Sequence, residues 1–188
     1  MTLDDFWALI ERSASESTSR ENRTELLTEW LARLPASDIV DFEVHLTEQR
    51  RRVDTWLMWG VATLLLEGFC SDDSFFYFQP WLVGLGRDTF EKVAADPDAL
   101  ADVPELRRLA GRPMKHWTDE EFPDWEGLNN VASEACEQVT GEEDALDDGL
   151  SARGLERVVD NDPQDEEWDD GSEEERAARI PRLNALLS

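Results

Sequence analysis

A chain of 188 residues with 44 Asp and Glu against 18 Lys and Arg carries a formal charge of −26, and a field of that sign repels nucleic acid and anionic lipid, which are held by clustered basic side chains. Eight tryptophans and eight phenylalanines exclude a wholly disordered chain, because burial of large aromatics is what offsets chain entropy. The acidic excess grows along the sequence, from 21 acids and 11 bases up to Ala110 to 23 acids and 7 bases beyond it.

Such a charge suits a protein kept monodisperse by self-repulsion, or one adapted to high salt. The two cysteines, Cys70 and Cys136, are far apart in a chain without a secretory leader, which favours thiols in a reducing, cytoplasmic compartment over a disulfide. The apolar run from Trp56 to Leu66 is about half of the roughly 20 residues a bilayer span needs, so no membrane association is expected.

In chain order, Thr2 with Asp4 and Asp5 marks a helix start, and Leu3, Phe6, Trp7 and Ile10 recur at helical spacing; the expected helix covers about Leu3 to Ser13, followed by a linker to Ser19. Leu26, Leu27, Trp30, Leu31 and Leu34 form the stripe of a second helix that stops at Pro35. Ser37 is placed to cap a third, with Ile39, Phe42, Leu46 and Val53 inward and Glu43, Glu48 and Arg50 to Arg52 outward. From Val53 to Leu66 apolar residues cover every face, the pattern of a central, surrounded helix, and Gly68 is its natural C-cap.

The chain is organised around Gly68 to Lys92. Ser71 followed by Asp72 and Asp73 reads as an N-cap with two first-turn carboxylates; a cation or substrate role for the two acids remains the alternative. Phe75, Phe78, Leu82 and Leu85 form a buried stripe widened by Phe76 and Trp81, and Pro80 is expected to kink or restart the helix. Gly84-Leu85-Gly86-Arg87 lacks the third glycine and preceding strand of a dinucleotide fingerprint, so its glycines read as a close helix crossing. Arg87, beside an aromatic segment, calls for a carboxylate partner, with Asp72 and Asp73 as candidates. Further helices are expected over Asp88 to Ala95 and Leu128 to Val139, with short turns over Asp98 to Asp102 and Pro104 to Ala110, a break at Gly111, and no strand of any length apart from an ambiguous Arg157 to Asp160.

Beyond Thr140, acid-dominated runs carry little apolar content. The expected architecture is therefore all-α: a single compact multi-helix domain, 1–140, around the central apolar helix Val53 to Leu66, then an acidic, mostly irregular and partly disordered tail, 141–188, ending in a short helix. Trp168 and the group Ile180, Leu183, Leu186 and Leu187 are two anchors by which the tail could dock back onto the domain, a free partner-binding tail being the alternative, and a chain ending near Gly141 is expected to stay folded.

Phe6-Trp7 with Ile10, Trp56 to Trp59, and above all Cys70-Ser71-Asp72-Asp73-Ser74-Phe75 with Tyr77-Phe78, Trp81-Leu82, Gly86-Arg87 and Asp96-Pro97-Asp98-Leu100 resemble a bacterial family, number 4240 among the domains of unknown function. The resemblance extends to Trp168-Asp169-Asp170 and Ile180-Pro181-Arg182-Leu183. It implies a small helical protein, sometimes joined to a tryptophan-glycine-arginine-type module, without an established activity.

Two functions compete. One is a non-catalytic protein-interaction or regulatory module that meets a basic protein surface or peptide, with Asp72, Asp73, Tyr77, Trp81 and Arg87 as the candidate binding residues, no cofactor, no metal and no direct nucleic-acid contact. The other is a hydrolase or metal-dependent enzyme using Asp72 and Asp73 near the aromatic segment 75–81, with help from His45, His116 or Cys70. A hard-ion site needs about six oxygens, and two Cys with two His show no paired zinc spacing.

Overall fold

The computed structural model describes Met1 to Leu187, and no strand occurs among these residues. The protein is all-α. Its contacts divide the chain into two compact units, one of Met1–Arg51 with Trp125–Val159 and one of Arg52–Asp124 with Asp160–Ser188. The division does not fall at residue 140: each unit takes a part of the acidic C-terminal region.

The first unit is built from α1 (Leu3–Glu16), α2 (Arg20–Leu31), most of α3 (Ala36–Val53), α8 (Val131–Thr140) and α9 (Ala145–Ser151). Thr2 and Asp5 close a reciprocal capping box at the start of α1, each side chain accepting the other's backbone N–H, and this satisfies two of the amides that a helix start leaves without partners. Ser13 is buried and donates to the Ile10 carbonyl at 2.7 Å, so α1 runs on to Glu16 where a linker was expected. Phe6, Ile10, Leu27, Leu31, Phe42, Leu46, Leu128, Ala132 and Leu146 lose all solvent contact. The tight packing of α9 shows at Gly149, where a Cβ would lie 2.6 Å from Val40 Cγ2.

The third helix departs most from expectation. It begins at Ala36, directly after Pro35, so Ser37 lies in its first turn. Glu43 and Arg50, expected outside, are 4% and 3% exposed. They fall on the line of Ile39, Leu46 and Val53 at alternating steps of four and three, which keeps all five on one side of a helix.

The second unit holds α4 (Trp56–Leu65), α5 (Asp72–Gly84), α6 (Arg87–Ala95), α7 (Pro104–Leu109), α10 (Glu173–Arg179) and α11 (Pro181–Leu187), with a 3-10 turn over Pro97–Asp102. Asp54 and Thr55 separate α4 from α3, and the Thr55 hydroxyl accepts the Met58 N–H at 3.0 Å. α4 is not surrounded on every side: Met58, Val61, Ala62 and Leu65 are buried, whereas Trp56, Leu57, Trp59 and Leu64 are half-buried. α5 is continuous through Pro80 and packs on α4 through a run of near-parallel rings. Trp56 stacks on Trp59 at 5.5 Å, Trp59 on Phe75 at 4.5 Å, Phe75 on Phe78 at 6.3 Å and Phe78 on Trp81 at 5.5 Å. Offset rings at these separations gain from both burial and quadrupole attraction.

Polar groups from the acidic region complete this unit. Both carboxylate oxygens of Asp165 accept first-turn amides of α4, Trp56 N–H at 2.6 Å and Leu57 N–H at 3.2 Å. The Trp168 indole N–H reaches the Trp56 carbonyl at 2.9 Å. Asp98, 5% exposed, accepts the N–H groups of Arg182 and Leu183 and so caps α11 across the fold, while Ile180 and Leu183 are fully buried.

Candidate functional site

The turn between α4 and α5 sets the geometry of the candidate site. Leu66 is the C-cap of α4, and the Gly68 N–H bonds back to the Thr63 carbonyl at 2.8 Å, the six-to-one closure of a helix C-terminus. In that closure the left-handed position falls on Glu67, at φ 58°, and Gly68 follows at φ 98°. The cap expected at Gly68 thus sits one residue earlier, on a side chain that pays a steric cost of about 1 kcal/mol there. Glu67 is held in place by its own carboxylate, which accepts the Met114 N–H at 2.8 Å. Phe69 comes next and is 76% exposed.

Ser71 then caps α5, its hydroxyl accepting the Ser74 N–H at 3.2 Å. Asp72 and Asp73 occupy the exposed first turn, where the helix dipole favours negative charge. The Asp72 backbone carbonyl accepts Asn161 Nδ2 at 2.9 Å, and Asn161 Oδ1 in turn accepts Gln79 Nε2 at 3.1 Å. Tyr77 is half-buried with its ring edge-on to Phe76, and Trp81, 8% exposed, belongs to the ring stack of the core. Arg87 opens α6 after Gly86, whose φ of 88° is open to glycine at little cost. Its charge helps Arg52 hold the Glu91 carboxyl below its ordinary value, with the Arg52 hydrogen bonds the larger cause.

The thiol near this turn is inert. Burial, followed by the nearby carboxylates of Asp170 and Asp72, pushes the Cys70 thiol up to about 12, so it stays protonated at neutral pH, whereas a nucleophile must be a thiolate. His116 is exposed, and its backbone carbonyl accepts an Arg112 N–H at 3.1 Å. His45 belongs to the first unit, where Nε2 lies 3.3 Å from the Met1 carbonyl and Nδ1 3.5 Å from Glu48. Among the described residues, no three His, Cys, Asp or Glu side chains converge as a metal site.

Two features escaped the sequence reading. One is a cavity of about 520 Å³ in the second unit, bounded by the end of α4, residues 109–117 and the C-terminal region; its only linear trace is the Glu-Gly-Phe step after an apolar helix. The other is a buried polar cluster in the first unit. Burial pushes the Glu43 carboxyl up to about 7, against the opposing charges of Arg157 and Arg50 and a 3.5 Å hydrogen bond from Thr47. Glu43 Oε2 has no hydrogen-bond partner among the described residues. Arg50 Nη1 donates to Asn129 at 3.2 Å. The seven-residue interval between Glu43 and Arg50 was the signal that could have found this pair.

A family model described as a protein of unknown function (DUF4240) matches residues 1–138. No curated protein and no solved structure matches. Among the described residues, no helix is long and apolar enough to cross a membrane.

Proposed function

Because the chain belongs to the DUF4240 family, proteins of unknown function, we propose its role from its own surface: a non-catalytic interaction module that docks a basic protein surface or peptide. One observation carries this reading. Phe69 is 76% exposed, and Glu67, Asp72 and Asp73, within four residues of it along the chain, are exposed as well, in a chain of net charge −26. An exposed apolar side chain with acids close by in the chain matches a partner that pairs an apolar side chain with Lys or Arg, and the surrounding field speeds the approach of such a partner. The inert Cys70 thiol and the placement of Trp81 in the core weigh against a hydrolase built on Asp72 and Asp73.

The same charge opposes direct nucleic-acid binding. The reading places the module in the cytoplasm, with Cys70 and Cys136 as free thiols. Calorimetric titration with octalysine at about 50 and 300 mM salt tests it, since charges farther apart than a Debye length of about 8–10 Å are screened. Binding should weaken as salt rises and weaken again in the double variant Asp72→Asn, Asp73→Asn. Affinity indifferent to both changes overturns the reading.

A further inference from the structure

The cavity of the second unit is walled by Leu64, Leu65, Leu109, Pro113, Trp117 and Leu187. Glu67 and Gly68, the two left-handed residues, line it as well, so the strained turn forms part of the cavity wall and Phe69 continues directly from it. Strain at a non-glycine position persists only where the surroundings enforce it, and here the Met114 N–H does so through the Glu67 carboxylate. A Cβ on Gly68 would meet nothing within 4 Å, so this stretch of wall is open.

The charges at the cavity select the occupant. Arg112 is spent on Glu121, to which both terminal nitrogens donate, and on the His116 carbonyl. Arg176 donates to the Asp170 backbone carbonyl at 2.6 Å and to Asn184, two neutral acceptors, and so keeps its charge at the rim. Glu67 and Asp170 also line the cavity, and Asp72 lies close enough to join Asp170 in raising the Cys70 thiol, so these three acids outnumber the one guanidinium that, among the described residues, no carboxylate neutralises. Apolar walls under an acidic rim fit a bulky apolar side chain whose chain neighbours are cationic. A second copy of this chain would bring another −26 to the same surface and is disfavoured by like-charge repulsion.

We propose that this cavity is the anchor pocket of the module, taking a bulky apolar or aromatic side chain from a partner segment in which Lys or Arg flanks that residue. The proposal rests on the reading of a basic partner and adds where the partner's apolar residue goes. The basic flanks meet Glu67, Asp170 and the start of α5, and the ring enters between Leu64 and Trp117.

The test titrates the intact protein with three probes, the acetylated and amidated peptides KKFKK and KKAKK and free phenylalanine amide, following backbone amide shifts by NMR. KKFKK should move the amides of Leu64, Glu67, Gly111 and Trp117 and bind roughly tenfold more tightly than KKAKK, the ratio that corresponds to burying about half to all of one phenylalanine ring. Leu64→Trp, which fills the cavity from a half-buried position, should abolish that preference. Leu187→Ser, at a half-buried lining position, serves as a second variant should the first fail to fold, and should reduce KKFKK binding at least threefold. Equal binding of KKFKK and KKAKK overturns the pocket while leaving the basic-partner reading standing; octalysine failing to bind while KKFKK still enters would do the reverse. Equivalent shifts from phenylalanine amide alone would make the cavity a small-molecule site, and concentration-dependent self-association lost on Phe69→Ser would make a second copy the occupant. Either result overturns the proposal.

Discussion

The indole of Trp168 lies so close over Gly60 that a Cβ on the glycine would sit 2.2 Å from Trp168 Cζ2 and 2.8 Å from Cε2. A residue from the acidic C-terminal region therefore dictates which amino acid the middle of α4 can carry. Gly60→Ala should raise helix propensity locally yet destabilise the protein by about 1–3 kcal/mol, because the ring must be displaced. Thermal melts of Gly60→Ala, Trp168→Ala and the double variant check this. The double variant should be more stable than the sum of the single losses implies, as expected for residues that share one clash.

Truncation after Gly141 provides a second test. The sequence alone made the C-terminal region dispensable, but Leu146, Leu150, Ile180 and Leu183 are at most 3% exposed. Each buried aliphatic side chain contributes about 1.5–3 kcal/mol, so their joint loss is comparable with a typical net stability of about 5–15 kcal/mol. The truncated chain should lose its cooperative unfolding transition while keeping much of its helical circular dichroism. A cooperative melt at the full-length temperature would show that these residues are not needed.

A third prediction concerns pH. The Glu43 carboxyl is pushed from an ordinary value near 4.5 up to about 7 in the fold, first by burial. Between these values the folded protein holds a proton that the unfolded chain has released, so stability falls as pH rises through that window and levels off above it. The effect is absent below about 4.5, where both states are protonated, and its full size is on the order of 3 kcal/mol. Arg157, Arg50, Thr47 and Asp147 are the polar groups that act on this carboxyl. Denaturant titrations of wild type and Glu43→Gln across pH 4.5 to 8 should diverge over this window, the wild type losing stability relative to the variant. Parallel curves would mean that the carboxyl titrates normally.

The two kinds of helix-start carboxylate should respond differently to neutralisation. Asp98→Ala removes a buried acceptor from the Arg182 and Leu183 amides and should cost about 1–3 kcal/mol, since it strands those donors. Asp72→Asn and Asp73→Asn sit in an exposed first turn that Ser71 already caps, so each should cost about 1 kcal/mol or less while still reducing octalysine affinity. Loss of binding only in proportion to lost stability would remove the two acids from the docking surface.

Much of the fold was legible because its signals are local. Thr2 and Ser71 do cap their helices, and the stripe Phe6, Trp7 and Ile10 is buried as its spacing requires. The break at Gly111 is likewise local, at φ 71°, whereas Pro104–Leu109, expected only as a turn, forms a short helix with its proline at the first position. The candidate site was legible in part. The Ser71-Asp72-Asp73 start of α5 is where it was expected, but Trp81, offered as a binding residue, went to the core stack.

By itself the sequence determined the helical class, the positions of most helix starts and the sign of the electrostatic field, since periodicity, caps and net charge depend on near neighbours or on simple totals. Only the tertiary structure decided the fate of individual carboxylates. Glu43, Asp98, Asp165 and Glu67 look alike in a chain of 44 acids. One is buried with a raised pKa, two cap helices far away in sequence, and one holds a strained turn at the mouth of a cavity. A carboxylate's energy is set by the amides, guanidinium groups and water around it, and those neighbours come from distant parts of the chain, as Trp56 does for Asp165 at 109 positions.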